Sequence, residues 1–192
     1  MTVFYLVRHG ACEGLGKTLW GRTAGVCLNE EGKAQALRVA KRFSSIKLDA
    51  VYSSPLERAR ETADVIARAA RLEVKPSSAF NEIDFGDWSG KSFDTLAHDD
   101  RWHRFNTHRS VTSIPGGETF PAVRARVNAE LERLSAQHKH SRVVIVSHAD
   151  VIKAALGYGT DMPIDVLQRY EILPGSVTIV IADALDKTGG GN

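Results

Sequence analysis

Two apolar runs that each stop at a histidine constrain this chain more than any other feature. Val3-Phe4-Tyr5-Leu6-Val7 leads straight into Arg8-His9-Gly10. Far downstream, Val143-Val144-Ile145-Val146 leads into Ser147-His148, and Ala149 to Leu156 then continues with helical spacing. Short apolar runs without polar alternation are the pattern of strands covered on both faces, the parallel-sheet pattern of α/β folds. In such sheets the ligand crevice lies outside the carboxyl ends of the strands. If the two strands are neighbours, both imidazoles face one pocket.

The intervening segments supply the helices that such a sheet needs. Asn29 is an N-cap candidate, with Ala34, Leu37, Ala40 and Phe43 as a helical apolar face running to about Ser45. Asp49 to Tyr52 reads as a second strand. Ser54 then reads as a cap, Pro55 as the first helical residue, and Glu57 to Ala70 as the helix itself. Leu72 to Lys75 and Ala79 to Ile83 read as strand or extended, flanking a turn at Pro76. Val123, Val127, Leu131 and Leu134 place a long amphipathic helix between Thr119 and His138, and Ser176 to Ala182 is a final strand. Strands alternating with helices imply βαβ units and a largely parallel sheet sandwiched between two helical layers.

Two segments stand outside this alternation. Residues Ala11 to Leu28 are glycine-rich and without periodicity, as in a long functional loop over a strand end. Residues 87–114 mix Trp88, Phe93, Trp102 and Phe105 with Asp, Arg and His, which suits a helical insertion or lid. Trp88, Trp102 and Phe105 are expected to pack rather than to stack on a base. At 192 residues one domain over 1–184 suffices, and the Gly-rich end from Asp183, residues 185–192 above all, reads as a frayed tail.

Composition removes several classes of function. A net charge of +2 is too small for a nucleic-acid-binding face, and no apolar stretch reaches bilayer length. Only Cys12 and Cys27 occur, too few for a disulfide framework; with no leader-like start, the expectation is a cytoplasmic protein without a membrane partner. His98, His103, His108, His138 and His140 match no zinc-ligand spacing, so neither a metal nor another cofactor is expected.

An arginine at a strand end is often merely solvated, and a lone histidine is often structural. Arg58 changes that balance. It lies one turn into the helix after the second strand, and so at the same carboxyl edge of the sheet. Guanidiniums, imidazoles and the helix N-terminus after His148 would together form an anion pocket, best matched to a phosphate monoester.

The chain resembles the histidine phosphatase superfamily, which includes the cofactor-dependent phosphoglycerate mutases and related phosphatases. The resemblance rests on ordered blocks: Leu6-Val7-Arg8-His9-Gly10, Gly21-Arg22, Leu28 to Gly32, Ser53 to Ala59, Glu82 to Gly90, Pro115 to Thr119, and Val146 to Ala149. It implies a phosphoglycerate mutase-like fold. It also implies His9 as nucleophile, Arg8, Arg58 and His148 as ligands of the phosphoryl oxygens, and Glu82 as general acid and base.

Ala11, Cys12 and Leu15 stand where the family often has Glu-Thr or Glu-Ser and a phosphate-contacting Asn. Arg22 is expected to touch phosphate or substrate in their stead, with Lys17 and Thr18 weaker candidates. The short segment between Glu82 and Pro115 favours a phosphatase acting on a small phosphate ester, of the α-ribazole phosphate or sugar phosphate kind. A phosphoglycerate-type mutase, a non-catalytic phosphate-binding module and a metal-dependent hydrolase are the alternatives, and a homodimer is compatible with the resemblance.

Overall fold

A computed structural model describes residues 1–182, so the expected tail and the domain end at 184 lie outside the described residues. Five strands, β1 Thr2–Arg8, β2 Ala50–Ser53, β3 Val74–Pro76, β4 Arg142–Ser147 and β5 Val177–Ala182, form one sheet in the order β3-β2-β4-β1-β5. β1 pairs in parallel with β4, β4 with β2 and β2 with β3, while β5 closes the edge antiparallel to β1. The α-helices are α1 Glu30–Arg42, α2 Glu57–Ala70, α3 Phe93–Leu96, α4 Asp100–Thr107, α5 Phe120–Gln137 and α6 Ala149–Leu156. None is long and apolar enough to cross a membrane, among the described residues.

The unbroken apolar strands have the reason expected of them. Phe4, Leu6, Val143 and Ile145 point into a core shared with α5, α6 and the insertion, while Val7, Val144 and Val146 point into a second core under α1 and α2. Both faces of the central strands are dry. On α5 the stripe Val123, Val127, Leu131 and Leu134 is fully buried, each side chain contributing roughly 1.5–3 kcal/mol of transfer free energy.

Three local readings need correction. On α1 the buried positions are Gly32, Ala36, Val39 and Ala40, with Phe43 after them, whereas Leu37 is 62% exposed. Asn29 does cap the helix, accepting from Gly32 N at 2.9 Å. The packed stripe is set by a backbone contact: a Cβ on Gly10 would collide with Gly32 and one on Gly32 with Ala11, so glycines are required where the loop after His9 crosses α1. Ser54 does not cap α2. Leu56 holds the N-cap position, and the Ser54 hydroxyl is engaged in the site described below. Ala79 to Ile83 is not a strand either, because a 3-10 turn at Ser78–Phe80 rotates Phe80 into the core.

The insertion is part of the core. Trp88 and Phe105 are buried, and Trp102 meets Trp88 edge-on with centroids 5.4 Å apart, so these aromatics pack as expected. Its first residues are laced to the long loop through Leu19 N to Lys91 O and Phe93 N to Lys17 O, both at 2.9 Å. Loop and insertion thus form one wall above the strand ends.

Candidate active site

Register brings the two histidines together. Arg8 pairs with Ser147 across the β1–β4 ladder, so His9 and His148 leave the sheet side by side, ring centroids 5.1 Å apart. The loop carrying His9 is pinned by Gly10 N to Thr62 Oγ1 at 3.1 Å and Ala11 N to Gln35 Oε1 at 2.7 Å. α2 supplies Arg58 from its first turn, and its guanidinium donates to Gly21 O at 2.7 Å, tying the long loop to the site.

Two histidines with the same strand-end origin are held by opposite nitrogens. His9 Nδ1 lies 2.7 Å from Gly10 O, and a carbonyl can only accept, so Nδ1 carries the proton and Nε2 keeps its lone pair. His148 Nε2 lies 2.9 Å from Ser54 Oγ, whose own hydroxyl is donated to Asn81 Oδ1 at 3.0 Å. The proton is therefore on Nε2 of His148, and Nδ1 faces Glu82 Oε2 at 3.9 Å. Burial, with Arg58 behind it, lowers the His9 pKa to about 3. Burial, then Arg58 and His9, holds His148 well below its ordinary value. Both rings are neutral at working pH.

Glu82 is shifted the other way. Removal from water, reinforced by Asp150 and opposed by Arg58, raises its carboxyl to about 7. Arg8 and Arg58 are pulled down by burial, Glu82 opposing this in each, but a guanidinium stays charged at any working pH. Arg8 Nε, Arg58 Nη1 and His148 Nδ1 are buried without hydrogen-bond partners. Uncompensated buried polar nitrogens are costly, and clustered at one crevice they suit an anion with several acceptor oxygens. The crevice is a cleft of about 330 Å³ whose walls include Arg8, His9, Arg58, Glu82 and Asp150.

A protein-family model described as "Histidine phosphatase superfamily (branch 1)" matches residues 4–187. The chain belongs to that superfamily. Phosphoserine phosphatase 1 of Hydrogenobacter thermophilus is 35% identical over 162 residues, covering 80% of this chain and 74% of that one. Phosphoglycerate mutase-like protein 4 of Arabidopsis thaliana is 34% identical over 154 residues, covering 78% and 67%. Among solved structures, Bacillus stearothermophilus YhfR superposes with a TM-score of 0.88 at 29% identity, covering 95% of this chain and 92% of that one. Phosphoserine phosphatase from Entamoeba histolytica superposes with 0.85 at 29% identity, covering 94% and 91%. The phosphoglycerate mutase-like fold is thus shown, and this superfamily member is a phosphatase.

Within it, the structure gathers Arg8, His9, Arg58, Glu82 and His148 and leaves Arg22 out. Arg22 donates to Glu82 O at 2.9 Å and to Glu118 Oε2 at 2.8 Å, so it braces the Glu82 backbone and does not line the cleft. Glu118 draws it there, a carboxylate that also holds Arg126 and Asp84 N. Thr18 does line the cleft, as does Cys12.

Sequence reasoning missed Ser54 and Asn81, which orient His148, and Asp150, which presses on Glu82. Ser54 was visible only as a helix cap, and nothing local links Asn81 to His148. Asp150, one residue beyond the His148 block, offered the only available hint.

Proposed function

We propose that the chain is a metal-independent phosphomonoesterase that works through a phosphohistidine on His9. The observation that carries this is the Nδ1 to Gly10 O hydrogen bond, which leaves Nε2 of a neutral, buried imidazole as the free nucleophilic atom. Nε2 attacks phosphorus while the bond to the ester oxygen breaks, and the proton of Glu82 goes to the departing alkoxide. Water then attacks the phosphohistidine, the Glu82 carboxylate takes its proton, the P–N bond breaks and inorganic phosphate leaves.

Arg8 and Arg58 supply the positive charge on the equatorial oxygens that a metal would otherwise bring. His148 joins them once the incoming dianion favours protonation at Nδ1. Asp150 and the low dielectric keep Glu82 protonated near neutrality, as the first step requires.

A small phosphorylated metabolite, of the α-ribazole phosphate or sugar phosphate kind, is the substrate class this reading takes. A cytoplasmic location accords with Cys12 and Cys27, neither of which is in a disulfide. The mutase reading uses the same first step and rests on the name of the Arabidopsis relative; it predicts phosphoryl transfer to a second hydroxyl in place of water.

The test is p-nitrophenyl phosphate hydrolysis in excess EDTA, wild type against His9→Ala. Chelator-resistant turnover that disappears in the variant is the expected result. Turnover that survives in His9→Ala would overturn the covalent mechanism.

A further inference from the structure

We infer that the cleft selects a phosphate monoester whose alcohol is apolar and carries no carboxylate, with Glu171 turning carboxylated esters away. This rests on the phosphatase reading and narrows its substrate class, favouring esters whose alcohol bears an apolar group over plain sugar phosphates.

The charge on the walls is unevenly divided. Among the described residues that line the cleft, the arginines are Arg8 and Arg58, each with one buried unpartnered nitrogen, and lysine is absent. Lys17 lines a neighbouring hollow with Glu13 and Glu31 instead. The carboxylates on the walls besides Glu82 are Asp150 and Glu171. Asp150 is engaged by Arg109 at 2.7 Å and Lys153 at 3.7 Å.

Glu171 sits at the exposed rim, on a segment fixed from below by Arg8 itself. Arg8 Nη1 donates to Ile172 O at 2.7 Å, and Gly175 N donates to Arg8 O at 3.0 Å. The backbone that carries Glu171 is therefore fixed relative to the phosphate cradle.

Thr18 apart, the remaining side chains on the walls are mostly apolar. Leu15, Leu19, Trp20, Phe85, Phe93 and Leu173 line the cleft, and Leu15 and Leu173 are 37% and 58% exposed at its mouth. Apolar side chains left open around a polar floor are what an apolar ligand group would cover. A carboxylate on the alcohol would meet this surface and Glu171, with no free cation among the described lining residues to pair with. An unpaired charge in such a place is strongly disfavoured. On this inference the chain differs in substrate from the relatives named for phosphoserine.

Two esters of similar alkyl leaving ability separate the possibilities: 2-phenylethyl phosphate and 3-phosphoglycerate, with p-nitrophenyl phosphate as the general phosphatase substrate. Wild type should favour 2-phenylethyl phosphate over 3-phosphoglycerate by at least about tenfold in kcat/KM. Glu171→Lys should narrow that ratio by about fivefold or more, through a lower KM for 3-phosphoglycerate, and Glu171→Gln should narrow it less. Thermal melts of both variants confirm folding.

Equal or better use of 3-phosphoglycerate by wild type, or a ratio unmoved in Glu171→Lys, would overturn the inference while leaving the phosphatase reading intact. Absence of His9-dependent hydrolysis of all three esters would overturn both.

Discussion

β1 and β4 end alike, in a histidine at the carboxyl edge of one parallel pair, but they deliver different chemistry. At the end of β1 the proton of His9 is held by its own chain, at Gly10 O, and Nε2 is left bare. At the end of β4 the proton of His148 is held from across the sheet, by Ser54 after β2, and the opposite nitrogen faces Glu82 Oε2 at 3.9 Å. The same residue type becomes nucleophile or phosphate ligand according to which nitrogen the surroundings occupy. The lesson is that a strand-end histidine acquires its role from the group holding its proton.

The comparison breaks most visibly in activity. His9→Ala should reduce phosphatase turnover to background and abolish acid-labile phosphohistidine in trapping with labelled substrate. Glu82→Gln should lower kcat by about 10²–10⁴, since leaving-group protonation is lost, with phosphate affinity retained in calorimetry. His148→Ala should cost about 10²–10³ in kcat, because it removes one donor to the transferring group and leaves the nucleophile in place.

Ser54→Ala is the sharper and smaller test. Loss of one buried hydrogen bond of about 1–2 kcal/mol should slow turnover roughly tenfold and release the His148 tautomer. Nitrogen-15 spectra of the wild type should show Nδ1–H for His9 and Nε2–H for His148. Neither ring should titrate between pH 5 and 8, given a His9 pKa of about 3 and a His148 value well below the ordinary one. Titration of either near pH 6.5 would contradict the buried neutral pair.

The acid and the bases of the site also pull stability in opposite directions with pH. His9 binds a proton more readily unfolded, so between about 6.5 and 3 its burial costs stability as pH falls. Glu82 binds a proton more readily folded, so between about 4.5 and 7 its burial costs stability as pH rises. Glu82→Gln should therefore raise Tm at pH 8 by several degrees, for an effect of up to about 3 kcal/mol, and leave it unchanged at pH 4. In kcat/KM, wild type should lose activity above about pH 7 as the Glu82 proton is lost. Glu82→Gln should lack that limb.

Much of the site was legible because strand-end residues follow from strand boundaries. Arg8, His9 and His148 stand where apolar runs stop, and Arg58 stands one helical turn after another strand. The α5 stripe was equally readable, since its apolar residues at helical spacing, Val123, Val127, Leu131 and Leu134, are all buried. The α1 face was misread because Leu37 is apolar and yet exposed, and its true inner face is marked by small residues, Gly32 and Ala36, that periodicity weighs lightly. Arg22 was misassigned because its three carboxylate and carbonyl partners, at Asp84, Glu118 and Glu82, come from segments far along the chain.

Residue order alone was enough for the largely parallel α/β frame, the two histidines and the arginines beside them, because apolar periodicity and strand ends are local properties of the chain. Which nitrogen of each histidine is free, how far Glu82 is raised, and the place of Arg22 outside the cleft emerge once the chain is folded. The His9 tautomer rests on the adjacent Gly10 carbonyl as the folded loop presents it; the others depend on partners more than twenty residues away, on the dielectric that packing creates, and on register between strands that meet only when the sheet is assembled.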